Sequence, residues 1–122
     1  DTEDIVLVCS GSKGKFSLED FYGAGHLAHW LEHCLAGSIR CNDAAQAAQM
    51  AYRGSAPLQV LMDSRIGRIM RDRGLASSLE YASQLDCSTA VPRLENGRIR
   101  DVSAHTRAAR RSVRGAEGKD RN

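Results

Sequence analysis

The spacing of apolar residues changes twice in the first third of the chain. Ile5 to Cys9 is a continuous apolar run rich in β-branched residues, which is typical of a strand covered on both faces. A Gly/Ser/Lys turn follows, and helical spacing then extends from Leu18 to Leu35. Ser17 stands three residues before Asp20, a spacing resembling a capping box. The pattern therefore predicts a strand, a tight turn and a long helix.

Short helices and one hairpin are predicted downstream. The expected elements are a helix over 44–52 capped by Asn42 or Asp43 and stopped by Gly54, a helix from Pro57 to Arg73 with a break near Asp63-Ser64, a helix over 77–85, and extended pieces over 89–94 and 98–102 around an Asn96-Gly97 turn. Pro92 favours an edge position for the hairpin. Residues 103–122 are basic and poor in apolar side chains, which predicts a disordered tail behind an α/β unit over 1–102.

This inventory is helix-rich and contains one strong strand, Ile5–Cys9, besides the short hairpin. A lone buried strand leaves backbone N–H and C=O groups without partners. Either the hairpin joins it in a minimal sheet, or strands from outside the chain do, and we favour the second arrangement. We therefore expect the chain to need an N-terminal half or a partner chain, with a homo-oligomer as one solution.

Composition narrows the function classes. The 122 residues are 42% hydrophobic and carry a net charge of +2, which fits one domain and argues against nucleic acid as the main partner. No apolar stretch approaches the roughly 20 residues that span a bilayer, so we expect no membrane partner. The 4 cysteines include no C-x-x-C pair, which predicts reduced thiols and a cytoplasmic location. The chain starts at Asp1 without a visible leader, and we expect it to belong to something longer.

The turn between the predicted strand and helix carries the candidate chemistry. Glycines there allow close approach of the backbone to an anion, and lysines can contact phosphate oxygens. The candidate phosphate-binding residues in the turn are Ser10, Gly11, Lys13 and Gly14. An ordinary strand-to-helix turn with solvated lysines is the alternative. Asp20 and Glu19 follow as candidate Mg²⁺ ligands and catalytic carboxylates, although first-turn acidic residues also serve as helix caps.

Other residue patterns offer competing sites. His26, His29 and His33 share one helical face, which suits a transition metal, but the simpler interpretation is that they face solvent or a partner. Cys9 is either a nucleophile or a small buried apolar residue, and we favour the second. Arg68, near Asp63-Ser64, can pair with a phosphate or sulfonate, although a surface salt bridge is the simpler interpretation.

A long motif connects these residues to a known family. It reads Val8-Cys9-Ser10-Gly11-Ser12-Lys13-Gly14-Lys15-Phe16-Ser17-Leu18-Glu19-Asp20 and is followed by Ala24-Gly25. Later landmarks keep the family's order: Asn42-Asp43-Ala44-Ala45, Leu79-Glu80-Tyr81, Val91-Pro92 and Gly97-Arg98-Ile99. From Ile5 to Asp101 the chain resembles the C-terminal half of the 2-phosphosulfolactate phosphatases. Ile66 and Ser78 depart from residues common in that family.

The resemblance implies a three-layer α/β/α fold in the complete protein and Mg²⁺-dependent hydrolysis of 2-phospho-3-sulfolactate, or a similar phosphorylated acid, to 3-sulfolactate and phosphate. It places that reaction in coenzyme M biosynthesis and implies a small phosphorylated sulfonate as the substrate. It also assigns Asp20 and Glu19 to metal binding and catalysis. A non-catalytic remnant acting as a binding or oligomerisation module is the alternative.

Overall fold

A computed structural model describes residues 4–35 and 38–103. These described residues fall into two compact units, which divide between Leu85 and Asp86. Within its described residues the first unit is helical and the second holds a two-stranded sheet. The helices are α1 Leu18–Cys34, α2 Asp43–Gly54, α3 Pro57–Asp63, α4 Arg65–Asp72 and α5 Ala76–Ala82. The strands are β1 Pro92–Glu95 and β2 Arg98–Asp101. The predicted tail over 103–122 lies outside the described residues except for Ser103.

Helix α1 begins where the sequence predicts. The buried Ser17 hydroxyl accepts a 3.3 Å hydrogen bond from the backbone N–H of Asp20, which satisfies one of the amides left free in the first turn. Glu19 and Asp20 place negative charge beside the positive end of the helix dipole. The α1 start therefore has both a side-chain cap and favourable electrostatics.

Helices α1 and α2 pack closely because small residues line their contact. A Cβ on Gly25 would lie 2.0 Å from the carbonyl oxygen of Ala48, so only glycine permits this approach of the two backbones. Tyr22 is buried beside this contact, donates a 3.0 Å hydrogen bond to the carbonyl of Ser55 and meets Tyr52 edge to face at 5.4 Å. Such an aromatic pair adds about 0.5–1.5 kcal/mol beyond the area it buries.

The predicted break near Asp63-Ser64 is confirmed and lies at Ser64, between α3 and α4. Ser64 is 2% exposed. Its hydroxyl donates a hydrogen bond to the carbonyl of Leu61 at 3.0 Å and accepts one from the amide of Gly67 at 2.9 Å. A Cβ on Gly67 would come within 1.7 Å of the Leu61 oxygen. Ser64 thus joins the end of one helix to the start of the next in a single tight corner.

The hairpin of the second unit is confirmed. β1 and β2 are antiparallel with Glu95 opposite Arg98, and the two residues between them have φ of +50° at Asn96 and +75° at Gly97. Two left-handed residues form a turn whose twist matches that of the flanking strands, which explains the Asn-Gly preference. The sheet among the described residues consists of β1 and β2.

The predicted strand Ile5–Cys9 is wrong as an element of this structure, because residues 4–10 have no regular secondary structure. Ile5, Val6 and Val8 are 50%, 77% and 85% exposed. A strand is defined by its ladder, and no described residue hydrogen-bonds to this segment as a neighbouring strand. Residues 5–9 therefore have the apolar sequence of a central strand, but the described residues contain no strands that pair with them.

Within residues 4–35 and 38–103, none of the helices has the length and apolar character that crossing a bilayer would need.

Candidate functional site

The Gly/Ser/Lys segment before α1 forms a tight two-residue turn. Ser12 and Lys15 exchange two backbone hydrogen bonds, each of 3.0 Å. Between them Lys13 and Gly14 have φ of +52° and +70°, the left-handed values of a hairpin turn. Both flanking amides are occupied by the turn itself, whereas the N–H groups of Lys13 and Gly14 have no acceptor among the described residues.

Gly11 is required for the chain to fold back at this turn. Its φ is +69°, and a Cβ there would lie 2.8 Å from the carbonyl oxygen of Lys15. The close backbone approach predicted at Gly11 therefore exists, and within the described residues it is made to the turn itself. Gly14 also has a left-handed φ but faces open space.

Asp20 connects the turn to α1. Its Oδ2 accepts a 2.8 Å hydrogen bond from the amide of Gly11 and a 3.1 Å bond from the hydroxyl of Ser10. The Gly11 amide is the main reason that the pKa of the Asp20 carboxyl lies below its usual 3.8; partial burial acts in the opposite direction, and the Ser10 hydroxyl lowers the pKa further. Asp20 is therefore held as a carboxylate in a fixed position.

The other predicted site residues are not joined to this carboxylate by described contacts. Glu19 is half-buried on α1, and neighbouring helical residues point about 100° apart. Lys13 is exposed at the tip of the turn. Arg68 is exposed on α4 and donates to the backbone carbonyl of Asp63, in place of the expected surface salt bridge. The structure thus brings together Ser10, Gly11 and Asp20.

Arg65 is a residue that the sequence analysis missed. It is the first residue of α4, and its Nη2 donates a 3.3 Å hydrogen bond to the carbonyl of Ser12 in the turn. The two residues are 53 positions apart in sequence, so no local pattern connects them. The one sequence signal is the Ser64 cap, which places residue 65 at the start of a helix.

The three histidines of α1 take part in an aromatic cluster. His26 stacks on Tyr52 with ring centroids 5.0 Å apart, His29 meets the same ring at 5.5 Å, and His33 meets Trp30 edge to face at 5.7 Å. The sequence predicts that these histidines face solvent or a partner; His33 is exposed, and His26 and His29 are half-buried against Tyr52. Across the described ranges, no three His, Cys, Asp or Glu side chains form a group able to hold a metal ion.

The contact of α1 with α2 uses small residues. Gly25 and Ala28 are buried there, whereas the larger Leu27 is 55% exposed. Cys9 is likewise exposed and carries a free thiol, so its interpretation as a small buried residue is wrong.

Asp20 is an ionised carboxylate of a kind suited to a divalent cation. Oδ2 accepts from Gly11 and Ser10, and the Ser17 hydroxyl also helps to lower the pKa of the carboxyl. Mg²⁺ commonly binds through one or two carboxylates and completes its shell with waters and substrate phosphate. An ionised Asp20 held in a fixed position fits such a site, and Glu19 is the carboxylate directly before it in the chain.

An open groove of about 470 Å³ lies beside the apolar segment that precedes the turn. The segment, α1 and the residues leading into α2 form its walls, and the apolar lining includes Ile5, Leu31 and Ile39. The side chains expected in a sheet core therefore border open space.

The sequence of this chain is similar to that of one family of known proteins. The family model described as 2-phosphosulpholactate phosphatase matches residues 1–97. A protein of Deinococcus radiodurans named "Probable 2-phosphosulfolactate phosphatase" is 35% identical over 97 residues, covering 79% of this chain and 40% of that protein. Proteins of the same name from Thermus thermophilus and Carboxydothermus hydrogenoformans are 32% and 34% identical, covering 88% and 79% of this chain and 44% and 40% of their own lengths.

These curated relatives are all more than twice as long as the matched region. The chain spans about two fifths of their length, and the matches cover most of the chain. The similarity therefore includes the turn, Asp20 and the helical unit.

Proposed function

The chain belongs to the 2-phosphosulpholactate phosphatase family, and from that membership we propose that it supplies the Asp20 part of a phosphatase site. The proposed reaction is hydrolysis of 2-phospho-3-sulfolactate, or a similar phosphorylated acid, to 3-sulfolactate and phosphate. Water provides the hydroxyl that phosphorus gains, and the substrate oxygen leaves with a proton. A cytoplasmic location and a place in coenzyme M biosynthesis belong to the same proposal.

The observation that carries the proposal is the anchoring of Asp20 by the turn. Two donors hold Oδ2 at 2.8 and 3.1 Å, and the lowered pKa keeps the group ionised near neutrality. A fixed carboxylate beside a lysine-bearing turn can act in two ways on a phosphomonoester. It either takes the phosphoryl group, which requires a carboxylate oxygen to face the phosphorus, or orients the attacking water by accepting a hydrogen bond from it.

Mg²⁺ is the proposed cofactor, with Asp20 and then Glu19 as its protein ligands. When bound, such an ion would neutralise negative charge on the phosphoryl oxygens. Lys13 contributes positive charge near the same anion, and the amides of Lys13 and Gly14 are donors without a described acceptor. Ser10 and Gly11 act by fixing Asp20.

The proposed site needs a further segment of polypeptide. Val6 and Val8 are exposed although their sequence is that of a central strand, and the groove beside them is lined by apolar side chains. Exposed apolar area of this kind is unfavourable in water unless another surface covers it. We propose that strands from a longer protein of this family, or from a second copy of the chain, pair with residues 5–9.

The same exposure supports a second candidate function. A chain that presents an unpaired apolar segment can act by adding that segment to a partner's sheet, without catalysis. In this case residues 5–9 form an interface and Asp20 serves only to order the turn before α1.

Phosphate release distinguishes the two functions. The assay follows release from 2-phospho-3-sulfolactate with and without Mg²⁺, for the chain alone and for the longest natural reading frame that contains it. The phosphatase proposal expects Mg²⁺-dependent release in the longer protein. Absence of release there, while the protein still binds a partner through residues 5–9, would favour the non-catalytic module.

A further inference from the structure

We propose that Arg65 is part of the anion-binding site at the turn and contacts the phosphate of the substrate together with the free amides of Lys13 and Gly14. The inference rests on the proposed function for the identity of the physiological anion. It assigns to Arg65 the role that the sequence analysis gave to Arg68.

The position of Arg65 is set by a rigid corner. Ser64 immediately before it is 2% exposed and makes hydrogen bonds of 3.0 Å to Leu61 and 2.9 Å from Gly67. The Gly67 backbone approaches Leu61 so closely that a Cβ would clash. From this corner the Arg65 side chain reaches the turn and contacts the carbonyl of Ser12 at 3.3 Å.

Arg65 carries a charge without a described counterion. The ion pairs among the described residues join Arg53 to Glu32 and Arg93 to Glu95, and neither includes Arg65. Arg65 is half-buried, and its guanidinium has five N–H donors, of which the Ser12 carbonyl takes one. A partly desolvated cation in this state gains most from an anion that accepts several hydrogen bonds.

The position of Arg65 in its helix also favours binding of an anion. Arg65 is the first residue of α4, whose first turn contains no acidic side chain. A cation at a helix N-terminus is disfavoured by the helix dipole. An anion held against the guanidinium would relieve that repulsion, whereas the neutral Ser12 carbonyl does so only weakly.

The turn presents complementary donors to the same anion. The contact with Ser12 brings the guanidinium to the residue directly before Lys13 and Gly14, whose amides lack acceptors among the described residues. Asp20 lies on the other side of Gly11 through its 2.8 Å bond. A phosphate bound by Arg65 and the turn would therefore lie near the carboxylate proposed to act on it.

The test measures binding of inorganic phosphate by NMR titration at constant ionic strength, using the full chain. Wild type should bind, and Arg65→Met should weaken binding about tenfold or more, the loss expected for a charge-assisted contact. Arg71→Met is the matched control because Arg71 is an exposed residue of the same helix, and it should change the affinity less than about twofold. Lack of binding by wild type, or equal losses in both variants, would overturn the inference.

A purely structural role predicts a different result. If Arg65 only supports the turn, Arg65→Met lowers the melting temperature but leaves the phosphate affinity of the folded protein unchanged. Should that variant fail to fold, the Nε–H signal of Arg65 in wild type decides the question. It should shift on adding phosphate and not on adding chloride, and an unmoved signal refutes the contact. Phosphate binding without phosphatase activity would contradict the proposed function and leave this inference intact.

Discussion

Two glycines of α1 allow a sharp test of the packing between α1 and α2. Alanine at position 25 would place its Cβ 2.0 Å from the Ala48 oxygen, 2.5 Å from its carbonyl carbon and 3.1 Å from the Cβ of Tyr52. The nearest atoms are backbone, so relief requires the helices to separate. Alanine at position 23 would meet nothing within 4 Å.

The magnitudes follow from these distances. Gly→Ala inside a helix gains about 0.5–1 kcal/mol from backbone entropy and propensity. Overpacking costs about 1–3 kcal/mol, and a backbone clash belongs at or above the upper end. We therefore expect Gly25→Ala to lower the free energy of unfolding by about 2 kcal/mol net and Gly23→Ala to raise it by about 0.5–1 kcal/mol.

Urea unfolding followed by circular dichroism at the helical band measures both changes. Because the variants share a helix and a chemical change, effects on the unfolded chain are nearly matched. We therefore predict that Gly25→Ala and Gly23→Ala change the free energy of unfolding in opposite directions. If Gly25→Ala proves as stable as wild type, the close approach of α1 and α2 at Ala48 is wrong.

Further predictions concern the helix cap at Ser64 and the Asp20 carboxylate. Ser64→Ala removes a buried hydroxyl that has two hydrogen-bond partners, so it should lower the free energy of unfolding by about 1–2 kcal/mol. Ser83→Ala removes an exposed hydroxyl and should change that free energy by less than about 0.5 kcal/mol; urea titration measures both changes. Because the folded pKa of Asp20 lies below 3.8, the unfolded chain binds more protons at acidic pH, so its stabilising contribution is present above pH 3.8 and is lost as the pH falls through the lower folded value. Unfolding free energies measured from pH 6 to pH 2 should therefore fall less steeply in Asp20→Asn than in wild type, and identical slopes would contradict the anchoring by Gly11.

Local signals in the sequence predicted most of the helices and the hairpin. Ser17 before α1 and Asn42 before α2 accept backbone hydrogen bonds as helix caps, and Asn96-Gly97 adopts the left-handed turn. These features depend on residues a few positions apart, so the sequence contains what determines them.

The features that sequence analysis missed depend on distant residues. Ile5–Cys9 has strand composition, but a strand needs neighbours that the described residues do not supply. The contact of Arg65 with Ser12 spans 53 positions. The packed face of α1 includes Gly25 and Ala28 beside Tyr22, and these two contribute little to a hydrophobic pattern because their side chains are small.

The most direct test of the phosphatase proposal is the rate of phosphate release from 2-phospho-3-sulfolactate with Mg²⁺ by the longest natural protein containing this chain, compared between wild type and Asp20→Asn. Asp72→Asn provides the control, since Asp72 is an exposed residue at the end of α4. The account predicts that Asp20→Asn slows release about 100-fold or more while Asp72→Asn leaves it unchanged. Equal rates in wild type and Asp20→Asn would contradict it.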